Sequence, residues 1–284
     1  MWLASAAELM FPKRFKSSDG LSLSCYGIQP PGFNRGRVVL VHGLGDHGRS
    51  LPYRNLSEAL CAQGFATYGF DLRGHGQSEG PRMYVEAWAS LRDDLRRFVD
   101  LVRQEDPTPP LFLVGLSLGG LLVLNYAQHH PQGLSGVVAV APALDASGVP
   151  PLIKAMMPLL SRLLPRVRVN PGLSLSGITR DPAIARQYTT DPHFQTHTTP
   201  RLASEVLRAM EETRARASRL SLPMLILHGE ADTLVRPQGS ADFFARVGAT
   251  DKQRLTYPDA YHNLFLEPNR AQVFADIGGW LEWH

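Results

Sequence analysis

Cysteine is nearly absent from this chain of 284 residues, with Cys25 and Cys61 the only two. Two thiols cannot build a disulfide framework, and neither has a second Cys or His at a zinc-binding spacing, so both read as buried structural thiols. Charge is also sparse. Charged residues make up 19% of the chain, and 29 Lys and Arg against 26 Asp and Glu leave a formal net charge of +3. So small an excess argues against a nucleic-acid partner. Gly 25 and Pro 22 are too few for a collagenous or low-complexity chain and suit a globular domain with many tight turns. A long membrane-spanning run is missing too: the best stretch, residues 111–127, has 17 uncharged residues, is opened by Pro109-Pro110 and is interrupted by Gly119-Gly120. It divides more naturally into a strand and a helix. The first eleven residues lack a basic segment and carry Glu8 inside a short apolar stretch, which argues against a secretory signal and for a cytoplasmic location.

What is present is an alternation. Met10 to Lys16 and Leu21 to Ile28, joined by Ser17-Ser-Asp-Gly20, have the chemistry of an antiparallel hairpin. Val38–Val41, Phe65–Phe70, Leu111–Val114, Gly136–Val140 and Met224–Leu227 follow as short apolar runs without polar alternation, the pattern of parallel strands buried on both faces. Helical patterns lie between them. From Val85 to Glu105 the residues Trp88, Leu91, Leu95, Phe98, Val99 and Val102 recur at spacings of three and four, while Arg92, Asp93, Arg96 and Arg97 face away. The expected fold is therefore α/β, a mostly parallel, doubly wound sheet with an N-terminal antiparallel hairpin.

Residues 146–220 break the alternation, giving Pro-punctuated apolar helices and loops where no buried strand is found. We read them as an inserted helical cap on a core formed by residues 1–145 and 221–284. Between Asp145 and Asp181 the cap carries Lys154, Arg162, Arg166, Arg168 and Arg180 and no acidic residue. That composition suits either an amphipathic surface resting on lipid or a face packed on the core.

Directly after the third apolar run stands Gly115-Leu-Ser117-Leu-Gly119, followed by a good helix start. A G-x-S-x-G sequence between strand and helix places the serine on a strained turn, with glycines where larger side chains would clash. A serine needs a base, and the base needs a carboxylate to fix its tautomer. Asp232 lies beyond the strand Met224–Leu227, and His262 follows the strand-like Arg254–Tyr257, so the order is Ser117, Asp232, His262. Asp145, Glu230 and Asp259 compete for the acid's role. His42, His47, His75 and His228 sit beside glycines in turns and read as structural, and His129, His130 and His284 as surface residues. His193 and His197 have metal-like spacing but lack the Glu of H-E-x-x-H, and the Gly172–Gly177 stretch lacks the second motif glycine. Two backbone N–H groups, those of Leu44 and Leu118, are the candidate oxyanion donors. The chemistry asks for no metal and no organic cofactor.

A rival reading is a dinucleotide site, because Gly43-Leu-Gly-Asp-His-Gly48 is a full G-x-G-x-x-G and Asp71 closes the next strand. Against it, Pro52 would break the required helix and Asp46 would repel a pyrophosphate. A non-catalytic binding protein is a third reading, opposed by the filling of all three Ser, Asp and His positions.

Several stretches together resemble the α/β hydrolases of the monoacylglycerol lipase and lysophospholipase type: His42-Gly-Leu-Gly-Asp-His47, Gly69-Phe-Asp-Leu-Arg-Gly-His-Gly-Gln-Ser-Glu-Gly80, Gly115–Gly120, Tyr188-Thr-Thr-Asp-Pro192, Leu227-His-Gly-Glu-Ala-Asp232 and Tyr261-His262. The resemblance implies the triad Ser117, Asp232 and His262, the donors Leu44 and Leu118, and a cap admitting an acyl chain. It implies cleavage of monoacylglycerols or similar single-chain lipid esters through an acyl-enzyme. It also places Asp46, Tyr188 and, with one extra loop residue, Arg49 near the glycerol head group. Phe265 departs from the animal enzymes, which carry a polar histidine there, and so points toward a broader carboxylesterase or lysophospholipase.

Overall fold

A computed structural model describes residues 7–8, 12–30, 32–105, 107–170, 172 and 175–284. Met10 and Phe11 of the expected hairpin, and Leu173 and Ser174 of the second glycine-serine stretch, lie outside the described residues. The chain opens with β1 (Ala7–Glu8), β2 (Arg14–Lys16) and β3 (Ser22–Gln29). The hairpin forms as expected, with Lys16 opposite Ser22. There follow β4 (Gly36–Val41), β5 (Phe65–Phe70), β6 (Leu111–Leu116), β7 (Gly136–Val140), β8 (Met224–Gly229) and β9 (Lys252–Tyr257). Their order across the sheet is β1-β3-β5-β4-β6-β7-β8-β9, with β2 paired to β3. Strands β5 to β9 and β4 run parallel, and β3 joins β5 antiparallel.

Every residue of β4, β5, β6, β7 and β8 is buried, which is why their sequences do not alternate. The pleat sends Val39 and Val41 into one apolar layer and Val38 and Leu40 into the other. The first layer is covered by α2 (Trp88–Glu105), α3 (Leu118–His129) and α7 (Pro237–Arg246), and the second by α1 (Leu51–Ala62) and α8 (Arg270–Trp283). Helix α2 starts at Trp88, three residues later than its periodicity suggests. The Glu205 carboxylate accepts the Trp88 N–H at 2.9 Å and so caps the first turn there, a partner that lies 117 residues away in sequence.

Between β7 and β8 lie α4 (Pro151–Leu163), α5 (Pro182–Thr189) and α6 (Pro200–Ala215), together with a short bridge pairing Val169 and Thr198. These helices differ in what they cover. Leu202 and Ala209 of α6 join the main apolar layer, and Thr213 is bonded by Asn125 Nδ2 (3.1 Å) and Gln128 Nε2 (2.9 Å) of α3. Helix α4 lies against α6, yet its stripe at i, i+4, i+7 and i+11 faces outward: Leu152 is 69% exposed, Leu159 57% and Leu163 65%, with Met156 between them. Among the described residues, no helix is long and apolar enough to cross a membrane.

Candidate active site

Ser117 stands between β6 and α3 with φ 58° and ψ −115°, a left-handed φ that a non-glycine residue adopts only when its surroundings impose it. Three backbone bonds do so. The Ser117 N–H donates to Val140 O at 2.9 Å, and its carbonyl accepts from Leu121 N and Ala143 N, both at 3.0 Å. The motif glycines follow from close approach: a Cβ on Gly115 would lie 2.3 Å from Gly119 O, and one on Gly119 2.0 Å from Val41 O. No side chain fits at either place, so strand, helix and neighbouring strand can press together behind the serine. Leu118 is the first residue of α3, where an N–H has no acceptor within the helix.

Asp232 and His262 leave the carboxyl ends of β8 and β9, the edge of the sheet at which Ser117 also lies. His262 Nδ1 is 2.7 Å from Asp232 Oδ2, and Asp232 Oδ1 accepts the amides of Leu234 (2.8 Å) and Val235 (2.9 Å). Burial works to raise the Asp232 pKa, but the charge of His262 and hydrogen bonds from His228, His262 and Val235 outweigh it and hold the carboxyl well below the usual range. A carboxylate only accepts, so the ring proton of His262 sits on Nδ1 and Nε2 is left as a base. The rival acids are otherwise engaged: Asp145 accepts from Ser147 N (2.8 Å) and Oγ (2.6 Å), Glu230 is exposed and accepts from Thr256, and Asp259 is exposed at a left-handed turn. His228, expected to be merely a turn residue, places Nε2 3.2 Å from Asp232 Oδ2.

The loop after β4 runs against the serine, since a Cβ on Gly43 would lie 3.5 Å from Ser117 Cβ. Gly43 N donates to Tyr53 Oη at 2.9 Å. His42 Nε2 accepts from Leu72 N at 2.9 Å, which puts its proton on Nδ1, the donor to Gly43 O at 2.8 Å. Burial, reinforced by His75, keeps that imidazole's pKa well below its ordinary value. Asp71 accepts the amides of Gly48 (2.8 Å) and Gln77 (2.7 Å). The dinucleotide reading fails on these facts. The glycine-rich stretch stays a loop, α1 begins only at Leu51 with Pro52 in its first turn, and the Asp71 oxygens are used by backbone amides.

The insertion reaches both loops. Tyr188 Oη donates to Asp46 Oδ2 at 2.7 Å, Gln195 N donates to Gly45 O at 2.7 Å, and His47 Nε2 meets Asp191 Oδ2 at 3.1 Å. Asp46 is fully enclosed, and burial pushes its pKa up to about 6 against the opposing hydrogen bonds from Tyr188 Oη and His47 N. Arg49 does not join this pair. It is exposed, with its guanidinium 5.1 Å from the centre of the Tyr26 ring. At the histidine loop, His262 N and Asn263 N donate to the carbonyls of Gly177 (3.2 Å) and Ile178 (2.8 Å), and Arg180 pairs with the buried Glu267 at 2.6 Å. Phe265 is a core residue, packed edge-on against Tyr53 and beside Phe274. His193 and His197 are both exposed, and His193 packs on the His47 ring.

Residues 32–269 match the Hydrolase_4 family model, described as serine aminopeptidase, S33. The chain is 32% identical over 253 residues to a monoacylglycerol lipase of Mycolicibacterium smegmatis, covering 88% of this chain and 89% of that one. The crystal structure of Paleococcus ferrophilus monoacylglycerol lipase is 34% identical, with a TM-score of 0.83 over 92% of this chain and 99% of its own. A soluble variant of the Saccharomyces cerevisiae monoglyceride lipase, solved in complex with a substrate analog, is 28% identical with a TM-score of 0.85, covering 96% and 95%. With its sheet order, its strained serine turn and these relatives, the chain belongs to the serine aminopeptidase S33 family of α/β hydrolases, as a relative of the monoacylglycerol lipases.

Proposed function

We propose that the protein is a carboxylic ester hydrolase that cleaves monoacylglycerols or similar single-chain lipid esters through an acyl-enzyme. The observation that carries this reading is the Asp232–His262 bond at the same sheet edge as the strained Ser117, in a chain whose relatives are named monoacylglycerol lipases. In the proposed reaction His262 Nε2 takes the Ser117 hydroxyl proton as Oγ attacks the ester carbonyl. The amides of Leu44 and Leu118 hold the oxyanion, and the tetrahedral adduct collapses as His262 returns the proton to the leaving alcohol. Water activated by the same imidazole then releases the fatty acid and restores Ser117.

We assign the alcohol end of the substrate to the side of Asp46 and Tyr188. Each already satisfies the other at 2.7 Å, so they serve as a wall of that subsite, and Arg49 takes part only by leaving the Tyr26 ring. Residues 146–220 form the proposed lid, with α4 as its lipid-facing element. Burying one exposed leucine of α4 against acyl chains would contribute roughly 1.5–3 kcal/mol, and Arg162 and Arg168, both exposed, suit an anionic surface. A broader carboxylesterase or lysophospholipase is the second reading, favoured by the burial of Phe265 in the core.

A kinetic panel separates the two. Monoacylglycerols should give the highest kcat/KM when set against di- and triacylglycerols, lysophospholipids and p-nitrophenyl esters, and a flat profile would favour the broader enzyme. Ser117→Ala should lower kcat by on the order of 10⁶, whereas retained turnover would refute the triad.

A further inference from the structure

His228 closes the buried strand β8 four residues before Asp232 and is itself fully buried. Its Nε2 lies 3.2 Å from Asp232 Oδ2 and 3.0 Å from Val235 O. A carboxylate and a carbonyl can only accept, so the ring carries a proton on Nε2 and donates to both. The opposite edge, Nδ1, meets Ser240 Oγ of α7 at 2.9 Å. The Ser240 hydroxyl, which has one proton, also donates to Pro237 O at 2.8 Å, so it ties the His228 ring to the first turn of α7. Asp232 Oδ2 thus takes two imidazole N–H bonds, one from His262 at 2.7 Å and one from His228, while Oδ1 takes two backbone amides. Among the described residues, His228 and His262 are the titratable side chains bonded to Asp232, and the α7 group facing the His228 ring is the uncharged Ser240 hydroxyl.

We propose that His228 is a positioning residue of the acid–base pair: it fixes the rotation of the Asp232 carboxylate and, by sharing Oδ2, limits how tightly that carboxylate holds a proton on His262. The inference rests on the Ser117–His262–Asp232 assignment proposed above. Two consequences follow from removing the donor. Asp232 gains freedom to turn away from His262, so fewer enzyme molecules hold the base in its productive orientation. The negative charge on Oδ2 is also no longer shared, so the proton on His262 is bound more tightly and the base stays protonated to a higher pH. A purely structural role, in which His228 only ties the turn to α7, would lower thermal stability without moving the pH profile.

The test uses the full chain with a soluble short-chain p-nitrophenyl ester. His228→Met keeps bulk and removes the donor, His228→Gln places an amide N–H where Nε2 stood, and His228→Asn places one short of Asp232. In His228→Met, kcat should fall about tenfold with KM within about twofold, and the acid limb of kcat/KM should move up by about half a pH unit. His228→Gln should recover to within about threefold of the parent, with its acid limb in place. A folded His228→Met enzyme with parental kcat and an unmoved acid limb would overturn the proposal. If His228→Met does not fold, the amide pair decides, because equal rates and profiles in His228→Gln and His228→Asn would overturn it as well. Asp232→Asn is measured beside them: a loss of about 10⁴ in kcat upholds the triad, so that a failure at His228 then counts against this inference alone. Retained turnover in Asp232→Asn would remove the triad and this inference with it.

Discussion

From Leu175 to Gln195 the insertion is tied to both loops of the candidate site, whereas from Pro151 to Leu164 it touches the rest of the protein mainly through α6. The first stretch hydrogen-bonds to His262 N and Asn263 N on one side and to Asp46, Gly45 and His47 on the other, with Arg180–Glu267 as an ion pair. The second leaves Leu152, Leu159 and Leu163 in water. A segment fastened to buried partners at several points has one arrangement, while a helix resting on another by one face can be displaced at little cost. The two stretches therefore divide the work. On the proposed reading, the first is a brace between the loop after β4 and the histidine loop, and the second is the part offered to the surface that carries substrate.

The largest break in this contrast should come from Gly45→Ala. A Cβ there would lie 2.1 Å from the Gln195 carbonyl oxygen, at a φ of +75° that alanine disfavours. The brace must then separate from the oxyanion loop, and kcat on a soluble ester should fall by at least about 100-fold, the cost of a misplaced oxyanion donor. A rate near that of the parent would show that the brace does not set the loop.

Asp46→Asn sharpens the same side of the comparison through pH. Burial raises the Asp46 pKa from 3.8 to about 6, so the stability contributed by the protonated carboxyl is complete below pH 3.8 and lost as pH rises through 6. Asparagine does not titrate, and its amide can meet both His47 N and Tyr188 Oη. The variant should gain on the parent between pH 4 and 6 and remain ahead above it, by up to roughly 3 kcal/mol in urea denaturation. A stability difference independent of pH would contradict the assignment. Tyr188→Phe removes the donor to Asp46 and should cost about 1–3 kcal/mol at pH 8, and less in the Asp46→Asn background, as a double-mutant cycle would show. The smallest effect on the fold belongs to α4. Leu159→Ser combined with Leu163→Ser should change stability by no more than about 0.5 kcal/mol and leave soluble-ester kinetics intact, while weakening sedimentation with anionic vesicles. Unchanged vesicle binding would remove the lipid-facing reading of α4.

The sheet was legible because buried parallel strands are short apolar runs bounded by turns, and Phe65–Phe70 and Gly136–Val140 fall where those runs suggest. The serine turn was legible because only glycine fits at 115 and 119. The contrast within the insertion was not. Helices α4 and α6 both carry an apolar stripe at helical spacing, and which one finds the core depends on partners such as Asn125 and Trp88, distant in sequence. His228 was misread for a similar reason. Beside Gly229 it looks like the other turn histidines, and only the turn that folds residue 232 back over the strand end brings it to the acid. The hydrogen bonds linking Tyr188 to Asp46 and Gln195 to Gly45 span about 150 residues and leave no local signal.

The central claim is that Ser117 is the residue that takes the acyl group. A fluorophosphonate probe followed by peptide mass spectrometry reads this directly. The account predicts one labelled serine, Ser117, with labelling lost in Ser117→Ala and strongly slowed in His262→Ala. Labelling of another serine, or a correctly folded protein that does not react while hydrolysing esters, would contradict it.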